Sequence, residues 1–381
     1  MPTIKPFPNF FSQTDPSILH DITTVTDYLT QYYNATCYIV GGAVRDRLLG
    51  RECKDYDIEC FDISVEDFET AMVHLGAQGV GKSFFVYKYH LLDISLPRKE
   101  KKVAQGHKGF EVTLANNERE ASKRRDFTIN ALMYDIQNEK ILDFWSGLDD
   151  LEHKILRVVN ESSFIEDSLR VLRAMQFSAR FGFKIEEKSC TLCQNIALDD
   201  LPKERIFSEF EKMFRAEYLH YGLYYLLQLC IFEKLFDVRM ERGNFIQLSR
   251  ELQKYQANFE DELRDYYFLF ISKSYWDIET GELLDRLGAP NVYYKKLATT
   301  LPATLTVSFI ANLALKEGIM SYVGNYHPKV RILAKHLDVW DKPFDRGVTP
   351  TELMAEGFKG KALGDELDGR TQEKIKSLKE K

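Results

Sequence analysis

The sequence has few features of a secreted, membrane-bound or disulfide-stapled protein. Its most apolar long segment, 218–232, is interrupted by polar residues and a glycine, so we expect no membrane span. The N-terminus has no basic region leading into an apolar core and predicts no secretory signal. Only six cysteines occur, and the lone CxxC of Cys190 and Cys193 lacks a second ligand pair at zinc spacing. We therefore expect reduced, structural thiols in a cytoplasmic protein.

An excess of basic charge is also missing, which argues against a general nucleic-acid coat protein. The formal net charge of the chain is −7. Residues 1–150 carry 17 basic and 23 acidic side chains, whereas residues 201–381 carry 27 of each. The acidic excess is therefore N-terminal, where metal-binding carboxylates would be expected, and any affinity for RNA must come from local basic patches.

The order of hydrophobic patterns predicts an α+β protein. At 381 residues, 44% of them hydrophobic, the chain is long enough for two or more domains. The first third alternates strand and helix patterns, and after about residue 143 the periodic segments have helical spacing. We expect an N-terminal mixed sheet with helices, followed by an all-helical body and tail. The predicted elements are strands in 38–40, 56–61 and 84–96, helices at 43–49, 64–75 (capped by Ser64), 118–134, 165–181 and 204–214, and a basic loop at 98–109.

Two acidic residues in the second predicted strand are the first candidates for chemistry. Asp55 and Asp57 flank Tyr56, and residues i and i+2 of a strand point to the same face. Two adjacent carboxylates suit Mg²⁺, which prefers carboxylate and phosphate oxygens. Asp93 ends a later strand region and is expected to face them, as a metal ligand or as a base. A solvated strand face is the alternative for an isolated DxD.

The turn before this strand adds a phosphate-binding feature. Gly41 and Gly42 close a strand and open a helix, a geometry that offers backbone N–H groups to phosphate. Arg45 lies just inside that helix and is predicted to reach a triphosphate oxygen, with Asp46 either orienting it or capping the helix locally. A tight turn alone would explain the two glycines, but a strand, a Gly-Gly turn, Arg-Asp and then a DxD strand form a rarer combination.

Three blocks of sequence resemble a known family. GGAVRD followed by DYD, then KRRDFTINAL at 123–132 and FIEDSLRVLRAMQFSARFGF at 164–183, are similar to the class II tRNA nucleotidyltransferase and bacterial poly(A) polymerase superfamily. The resemblance covers roughly residues 36–185. It implies a polymerase β-like catalytic head, two Mg²⁺ ions held by Asp55 and Asp57, and the transfer of nucleotides to an RNA 3′ end.

The second block supplies the sugar-recognition residues that the resemblance implies. Arg124, Arg125 and Asp126 match the family's ribose motif. An aspartate can accept from a 2′-hydroxyl, and arginines can hold ribose or phosphate oxygens. Asn130 follows Asp126 by four residues and is expected to support the same site.

The third block matches the motif that acts as a protein template for the incoming base. Glu166, Asp167 and Arg170 carry this match. Asp167 can accept from the exocyclic amine of cytosine or adenine, while Arg170 donates to a ring nitrogen. UTP and GTP would present a carbonyl oxygen to the carboxylate and be rejected. Arg173 is expected to position Asp167. Without the other blocks, a surface ion pair would explain this spacing.

The resemblance also predicts the organisation of the chain and its partners. It implies a catalytic head at 1–148, a helical base-recognition and tRNA-binding neck at 149–240, and a tRNA-binding body and tail at 241–381. Segment 143–147 is a candidate hinge, with a plain strand-to-loop turn as the alternative. The loop 98–109 is a candidate switch from C to A addition and a local contact for RNA or phosphate, with a solvated hairpin loop as the alternative. The expected activity is addition of CCA to the tRNA acceptor end from CTP and ATP. The alternatives are A-adding, CC-adding or poly(A) activity, or a catalytically silent RNA-binding module. Candidate tRNA contacts are Lys203, Arg205, Lys295 and Lys296.

Overall fold

The chain folds into two compact units. The computed structural model describes residues 1–53, 55–81, 85–102 and 110–378. The first unit comprises residues 1–205 and 224–234, and the second comprises 206–223 and 235–381. The predicted boundaries at 148 and 240 stay predictions. None of the described helices is long and apolar enough to cross a bilayer.

An eight-stranded mixed sheet forms the core of the first unit. Its strand order is β1-β10-β9-β2-β3-β6-β5-β4, with β3 and β6 parallel and their other neighbours antiparallel. Two smaller pairs, β7 with β8 and β11 with β12, stand apart from it. The strands are β1 (Thr3–Pro6), β2 (Thr36–Val40), β3 (Tyr56–Phe61), β4 (Gln78–Gly81), β5 (Val86–Tyr89), β6 (Leu92–Ser95), β7 (Arg98–Lys102), β8 (Phe110–Leu114), β9 (Met133–Asp135), β10 (Lys140–Asp143), β11 (Ile155–Leu156) and β12 (Lys184–Ile185).

Helices make up most of the chain after β10. They confirm the predicted α+β class, with a mixed sheet followed by a helical body. The helices are α1 (Pro16–Tyr33), α2 (Gly42–Leu48), α3 (Val65–His74), α4 (Glu118–Lys123), α5 (Gly147–His153), α6 (Glu161–Phe164), α7 (Leu169–Phe181), α8 (Glu187–Gln194), α9 (Lys203–Phe214), α10 (Leu219–Gln228), α11 (Ile231–Phe236), α12 (Arg242–Tyr255), α13 (Arg264–Ser272), α14 (Thr280–Leu287), α15 (Asn291–Leu297), α16 (Val307–Leu313), α17 (Pro328–His336), α18 (Pro350–Ala355) and α19 (Gly360–Ser377).

Apolar side chains cover the face of the sheet that carries the candidate site. Tyr38, Val40 and Phe61 pack there with Ala121 and Met133 in one buried cluster. Because residues directly opposite each other in an antiparallel pair share a face, the register of β2 and β3 also places Glu59 and Asp57 on this side. Helix α4 is thereby packed beside the acidic residues of β3.

Local sequence signals account for several of these elements. Ser64 caps α3 by accepting a hydrogen bond from the backbone of Asp67, as predicted. The strand predicted at 56–61 is confirmed without a shift. The region 84–96, predicted as strand, contains the two strands β5 and β6.

Two predicted elements are wrong. The predicted loop at 98–109 begins as strand β7, which pairs with β8; its remaining residues, 103–109, lie outside the described part of the chain. The predicted helix at 118–134 ends at Lys123, because the segment from Met133 enters the sheet as β9 between β2 and β10. Tertiary pairing therefore overrides the helical spacing there.

Candidate active site

Adjacent parallel strands bring two of the predicted acidic residues together. Asp57 on β3 is the register partner of Asp93 on β6, so both side chains project from the same face of the sheet. Asp93 is half exposed, and its Oδ1 lies 3.5 Å from the amine of Lys88. Asp55 is exposed and immediately precedes β3. The expected meeting of Asp57 and Asp93 across the sheet is therefore confirmed.

The electrostatic surroundings of Asp57 favour a bound cation. Asp57 reaches solvent but stands in a dense shell of protein atoms, and this desolvation raises the pKa of its carboxyl above the ordinary value. Arg125 opposes that shift in pKa, whereas the charges of Asp93 and Glu59 add to it. A cation at this edge would relieve both the desolvation and the like-charge repulsion.

Only oxygen donors are offered by the three predicted acidic residues. Among residues 1–53, 55–81, 85–102 and 110–378, no three histidine, cysteine or acidic side chains form a complete metal-binding group. Mg²⁺ in phosphoryl-transfer sites commonly takes one or two carboxylates and fills its shell with water and phosphate oxygens. The pair of Asp55 and Asp57 fits this donor set.

Gly41 makes room for an arginine beside the carboxylates. Its φ of 69° lies in the region that favours glycine. A Cβ atom at this position would lie 3.3 Å from Nη1 of Arg125 and 3.7 Å from Oδ2 of Asp57. The Gly41-Gly42 turn, the second of the two predicted arginines and the carboxylate of Asp57 thus meet at one point.

The sequence reasoning missed Glu59, which holds both predicted arginines. Its side chain is 2% exposed, and its Oε1 accepts from Nη2 of Arg124 at 2.8 Å and from Nη2 of Arg125 at 2.7 Å. Burial alone would raise the pKa of Glu59, but the two guanidinium groups outweigh it and hold the pKa below the ordinary value. The i+2 spacing from Asp57 was the signal that could have identified it.

The side chain of Arg45 is buried and bonded to protein partners. Its side chain is 5% exposed; Nε donates to Asp46 at 2.8 Å and Nη1 to Asn130 at 2.5 Å. The guanidinium also lies over the ring of Phe181, 4.7 Å from its centroid. Asp46 orients Arg45 as predicted. With these partners, Arg45 holds Asn130 in place, and its predicted phosphate contact stays a prediction.

Asp126 joins the second and third sequence blocks. It is 6% exposed; its Oδ1 accepts from the backbone of Phe127 and from Nδ2 of Asn130, both at 2.8 Å. Its Oδ2 accepts from Nε of Arg173 at 2.7 Å. The support expected from Asn130 is therefore present, and Arg173 bonds Asp126. The contact that was expected between Arg173 and Asp167 stays a prediction. A ribose hydroxyl at Asp126 would have to use the remaining lone pair of Oδ2.

Lowering the pH should reduce the free energy of unfolding, because the carboxylate of Asp126 becomes protonated. Burial raises its pKa, but Arg173 and Asn130 outweigh burial and hold the pKa at about 2, below the ordinary value of 3.8. A depressed acid pKa contributes stability that is present above 3.8 and is lost as the pH falls through about 2. The contribution is about 2 kcal/mol by linkage.

Chemical denaturation at pH 7 and pH 3 of the wild type and of Asp126→Asn checks this contribution. We expect the wild type to be about 2 kcal/mol more stable than the variant at pH 7, and the gap to narrow at pH 3. A gap of equal size at both pH values would contradict the ion-pair account and leave only a loss of packing.

The template residues lie together at the start of α7. Asp167, Arg170 and Glu166 are each half-buried. Arg170 donates from Nη1 to the carbonyl of Ser163 at 2.7 Å and from Nη2 to that of Arg124 at 2.8 Å. These bonds fix the plane of its guanidinium.

Arg205 lies beside Asp167, at the side chain that Arg173 was expected to position. Its Nη2 lies 3.5 Å from Oδ2 of Asp167, while Oδ1 accepts from the backbone of Leu169 at 3.2 Å. Arg205 was expected only as a tRNA contact. In the structure its guanidinium faces the carboxylate of Asp167.

The predicted hinge is a turn organised by one carboxylate. Asp143 is buried and accepts backbone hydrogen bonds from Trp145, Gly147 and Leu148 at 2.9–3.0 Å. Ser146 has a φ of 62° at the start of α5. The turn presses Gly147 against the backbone of Thr128, in the segment that follows Asp126.

Gly147→Ala should destabilise the first unit. An added Cβ would lie 2.3 Å from the carbonyl oxygen of Thr128, a contact that only backbone movement can relieve. We expect a loss of about 1–3 kcal/mol, the usual cost of overpacking. Urea denaturation measures it, with Gly369→Ala as control, because a Cβ there meets nothing within 4 Å. Equal unfolding midpoints for the two variants would refute the packing role of Gly147.

Family models match two parts of the chain. Residues 37–157 match the model described as the poly A polymerase head domain. Residues 182–238 match the model described as the probable RNA and SrmB-binding site of polymerase A. The first match contains the carboxylates, the glycine turn and the arginine pair.

Relatives and solved structures resemble the chain over different lengths. It is 28% identical over 419 residues to the multifunctional CCA protein of Haemophilus ducreyi, covering 90% of this chain and 98% of that protein. It is 39% identical to the multifunctional CCA protein of Nitrosospira multiformis, but the match spans only 43% of that relative. The Thermotoga maritima CCA-adding enzyme complexed with tRNA is similar in fold, with a TM-score of 0.72, 22% identity, and coverage of 100% of this chain and 97% of that one.

Proposed function

We propose that the chain is a member of the family of class II tRNA nucleotidyltransferases and poly(A) polymerases, and that it adds C, C and then A to the 3′ end of tRNA. CTP and ATP are the substrates, and pyrophosphate is released. The observation that carries the proposal is the meeting of Asp57 and Asp93 in register, beside Gly41 and the Glu59-bound arginines. The likeness over nearly the full length to the multifunctional CCA protein of H. ducreyi supports CCA as the added sequence.

Members of this family depend on a divalent metal, and we assign Mg²⁺, as two ions, to Asp55 and Asp57. When bound, the metal lowers the pKa of the attacking hydroxyl and neutralises charge on the departing pyrophosphate. Asp57 is suited to this task because its desolvated carboxylate gains most from a neighbouring cation. Asp93 serves either as a further ligand or as the base for the RNA 3′-hydroxyl, and its half-exposed position suits both roles.

The nucleotide's sugar and phosphates are assigned to the turn and the arginine pair. Gly41 and Gly42 offer backbone N–H groups next to Asp57, and Arg125 lies beside Gly41. Arg124 and Arg125 supply donors to ribose or phosphate oxygens. Asp126, supported by Asn130, is assigned to the 2′-hydroxyl and is held by Arg173. Arg45 acts on this site through its bond to Asn130.

Base selection is assigned to Asp167 and Arg170, with Glu166 beside them. The carboxylate of Asp167 accepts from the amine that cytosine and adenine share, and Arg170 donates to the acceptor atoms next to it. Backbone carbonyls hold Arg170 in one orientation. A uracil or guanine carbonyl at the same place would face a carboxylate with no proton between them, which disfavours both bases.

The helical body supplies the tRNA-binding surface in this proposal. Lys295 and Lys296 lie in the last turn of α15, and Lys203 begins α9. Arg205 is engaged by Asp167, so its share in tRNA binding competes with that ion pair. A cytoplasmic location is part of the proposal, because tRNA is the substrate and all six thiols are free.

The function is tested by incubating the protein with three tRNAs. One lacks the whole CCA end, one ends in the first C, and one ends in CC. Each is supplied with Mg²⁺ and with CTP, ATP or both, and the products are sequenced. We expect CCA on the first acceptor only when both nucleotides are present. Extension of the CC-ending tRNA alone would identify an A-adding enzyme, and arrest at CC a CC-adding one. Long A tracts would identify a poly(A) polymerase, and tRNA binding without incorporation a silent module.

A further inference from the structure

Glu59 occupies an unusual place in the candidate active site. It lies two residues after Asp57 on the same face of β3, yet it is 2% exposed and therefore withdrawn from the solvent that reaches Asp57. A buried carboxylate is costly unless it is paired and hydrogen-bonded. Glu59 is paired twice, because one of its oxygens accepts from both Arg124 and Arg125.

The two arginines that it holds are not ordinary core residues. Their side chains are 18% and 19% exposed, so each remains partly accessible to solvent. Nη1 of Arg125 lies beside the missing Cβ of Gly41, at the same point that Oδ2 of Asp57 approaches. One nitrogen of the Arg125 guanidinium thus faces Glu59 while the other faces the catalytic turn.

This arrangement fixes the direction of the guanidinium groups. A free arginine side chain has about 2 kcal/mol of rotamer entropy to lose on binding an anion. Anchoring Nη2 to a buried carboxylate removes much of that freedom before the substrate arrives, and preorganisation of this kind improves affinity. The charge of Glu59 also offsets one of two guanidinium charges that would otherwise repel each other.

We propose that Glu59 is a positioning residue that holds Arg124 and Arg125 in place for the sugar and phosphates of the incoming nucleotide. The inference rests on the proposed function and assigns a specific step to it: nucleotide capture. Base choice belongs to Asp167 and Arg170 on another element and is independent of Glu59. Replacing a residue with this role should therefore weaken the binding of CTP and the binding of ATP to a similar extent.

The test compares Glu59→Gln, Glu59→Asp and the control Asp62→Asn, which removes an exposed acid that follows β3 and bonds Thr36. Steady-state kinetics are measured with truncated tRNA, CTP and ATP, after titration of active sites. We expect Glu59→Gln to raise KM for both nucleotides about tenfold, a change of about 1.4 kcal/mol, and kcat to fall less than about threefold. Glu59→Asp, which retains the charge, recovers part of the affinity, and Asp62→Asn matches the wild type.

A merely structural role for Glu59 would give a different result. In that case Glu59→Gln would lower the melting temperature and the fraction of active sites, with KM unchanged, and the proposal would be overturned. Should Glu59→Gln fail to fold, the double variant Glu59→Gln, Arg124→Gln replaces it, because it removes one buried charge of each sign. Its KM is expected to exceed that of Arg124→Gln alone, and equal KM values would overturn the proposal.

Equilibrium binding of CTP with Mg²⁺, measured by calorimetry, separates this inference from the function on which it rests. Weaker CTP binding by Glu59→Gln than by the wild type supports the positioning role even if the wild type extends no tRNA, an outcome that would refute the function alone. Equal CTP binding by Glu59→Gln and an active wild type would refute the positioning role alone.

Discussion

Asp57→Asn should lower the rate of nucleotide incorporation by about 10³-fold, a loss of about 4 kcal/mol of transition-state stabilisation. The variant keeps the shape of the side chain but removes the charge that would hold the cation. Asp57 is the carboxylate that stands nearest to Gly41 and is in register with Asp93, so no other described residue combines these contacts. The measurement is the single-turnover rate of CMP addition to truncated tRNA at saturating CTP and Mg²⁺.

Asp62→Asn is the matched control for that experiment. Asp62 follows β3 and is exposed, and its carboxylate accepts from the hydroxyl of Thr36, away from the arginine pair. We expect its rate to stay within about twofold of the wild type, since surface substitutions usually change little. Incorporation by Asp57→Asn at the control rate would show that the metal centre has been misassigned.

Asp167→Ala should relax base choice while leaving the metal centre intact. In the wild type, uracil places a carbonyl against the Asp167 carboxylate, and this unpaired contact carries the discrimination. Without the carboxylate we expect the preference for CTP over UTP, as a ratio of kcat/KM, to fall by at least about 10²-fold. Arg170 remains fixed by the carbonyls of Ser163 and Arg124, so incorporation persists at a reduced rate.

The control for base choice is Asp199→Ala, which removes an exposed acid of the same unit. Its ratio of CTP to UTP use should equal that of the wild type. Both variants should bind Mn²⁺ in the absence of nucleotide as tightly as the wild type, because neither substitution changes Asp55 or Asp57. Unchanged rejection of UTP by Asp167→Ala would remove the template role from this residue.

The acidic centre could be predicted from sequence because strand geometry is regular. A period of two places Asp55, Asp57 and Glu59 on one face, and the Gly41-Gly42 turn marks the end of the neighbouring strand. Asp93 followed from its position in the next strand region. These inferences need only local periodicity, which is why the structure confirms the register of Asp57 with Asp93.

Side-chain partners were harder to predict because they depend on tertiary packing. The spacing of Arg173 from Asp167 predicted a local ion pair, but Arg173 reaches Asp126 on another segment, and Arg205 faces Asp167. Burial of Arg45 against Phe181 likewise depends on where α7 packs. Glu59 carried a visible i+2 signal, but its arginine partners are more than sixty residues away in sequence.

The prediction of secondary structure was wrong where the pairing of strands in a sheet competes with helical spacing. Residues 128–130 form a single 3₁₀ turn, and Met133–Asp135 then pairs with both β2 and β10 in the middle of the sheet. No local pattern distinguishes such a short buried strand from a helix segment. The β7–β8 hairpin was missed for a related reason, because the charged sequence of β7 has no apolar alternation.

The central claim is that Asp55 and Asp57 hold the divalent ion that nucleotide transfer requires. Its most direct test is electron paramagnetic resonance of Mn²⁺ titrated with the protein and CTP. The measurement compares three proteins: the wild type, the double variant that carries both Asp55→Ala and Asp57→Ala, and the control Asp62→Ala. The account predicts that the wild type and Asp62→Ala bind Mn²⁺ equally and that the double variant binds it at least about tenfold more weakly. Equal Mn²⁺ affinity for all three proteins would contradict it.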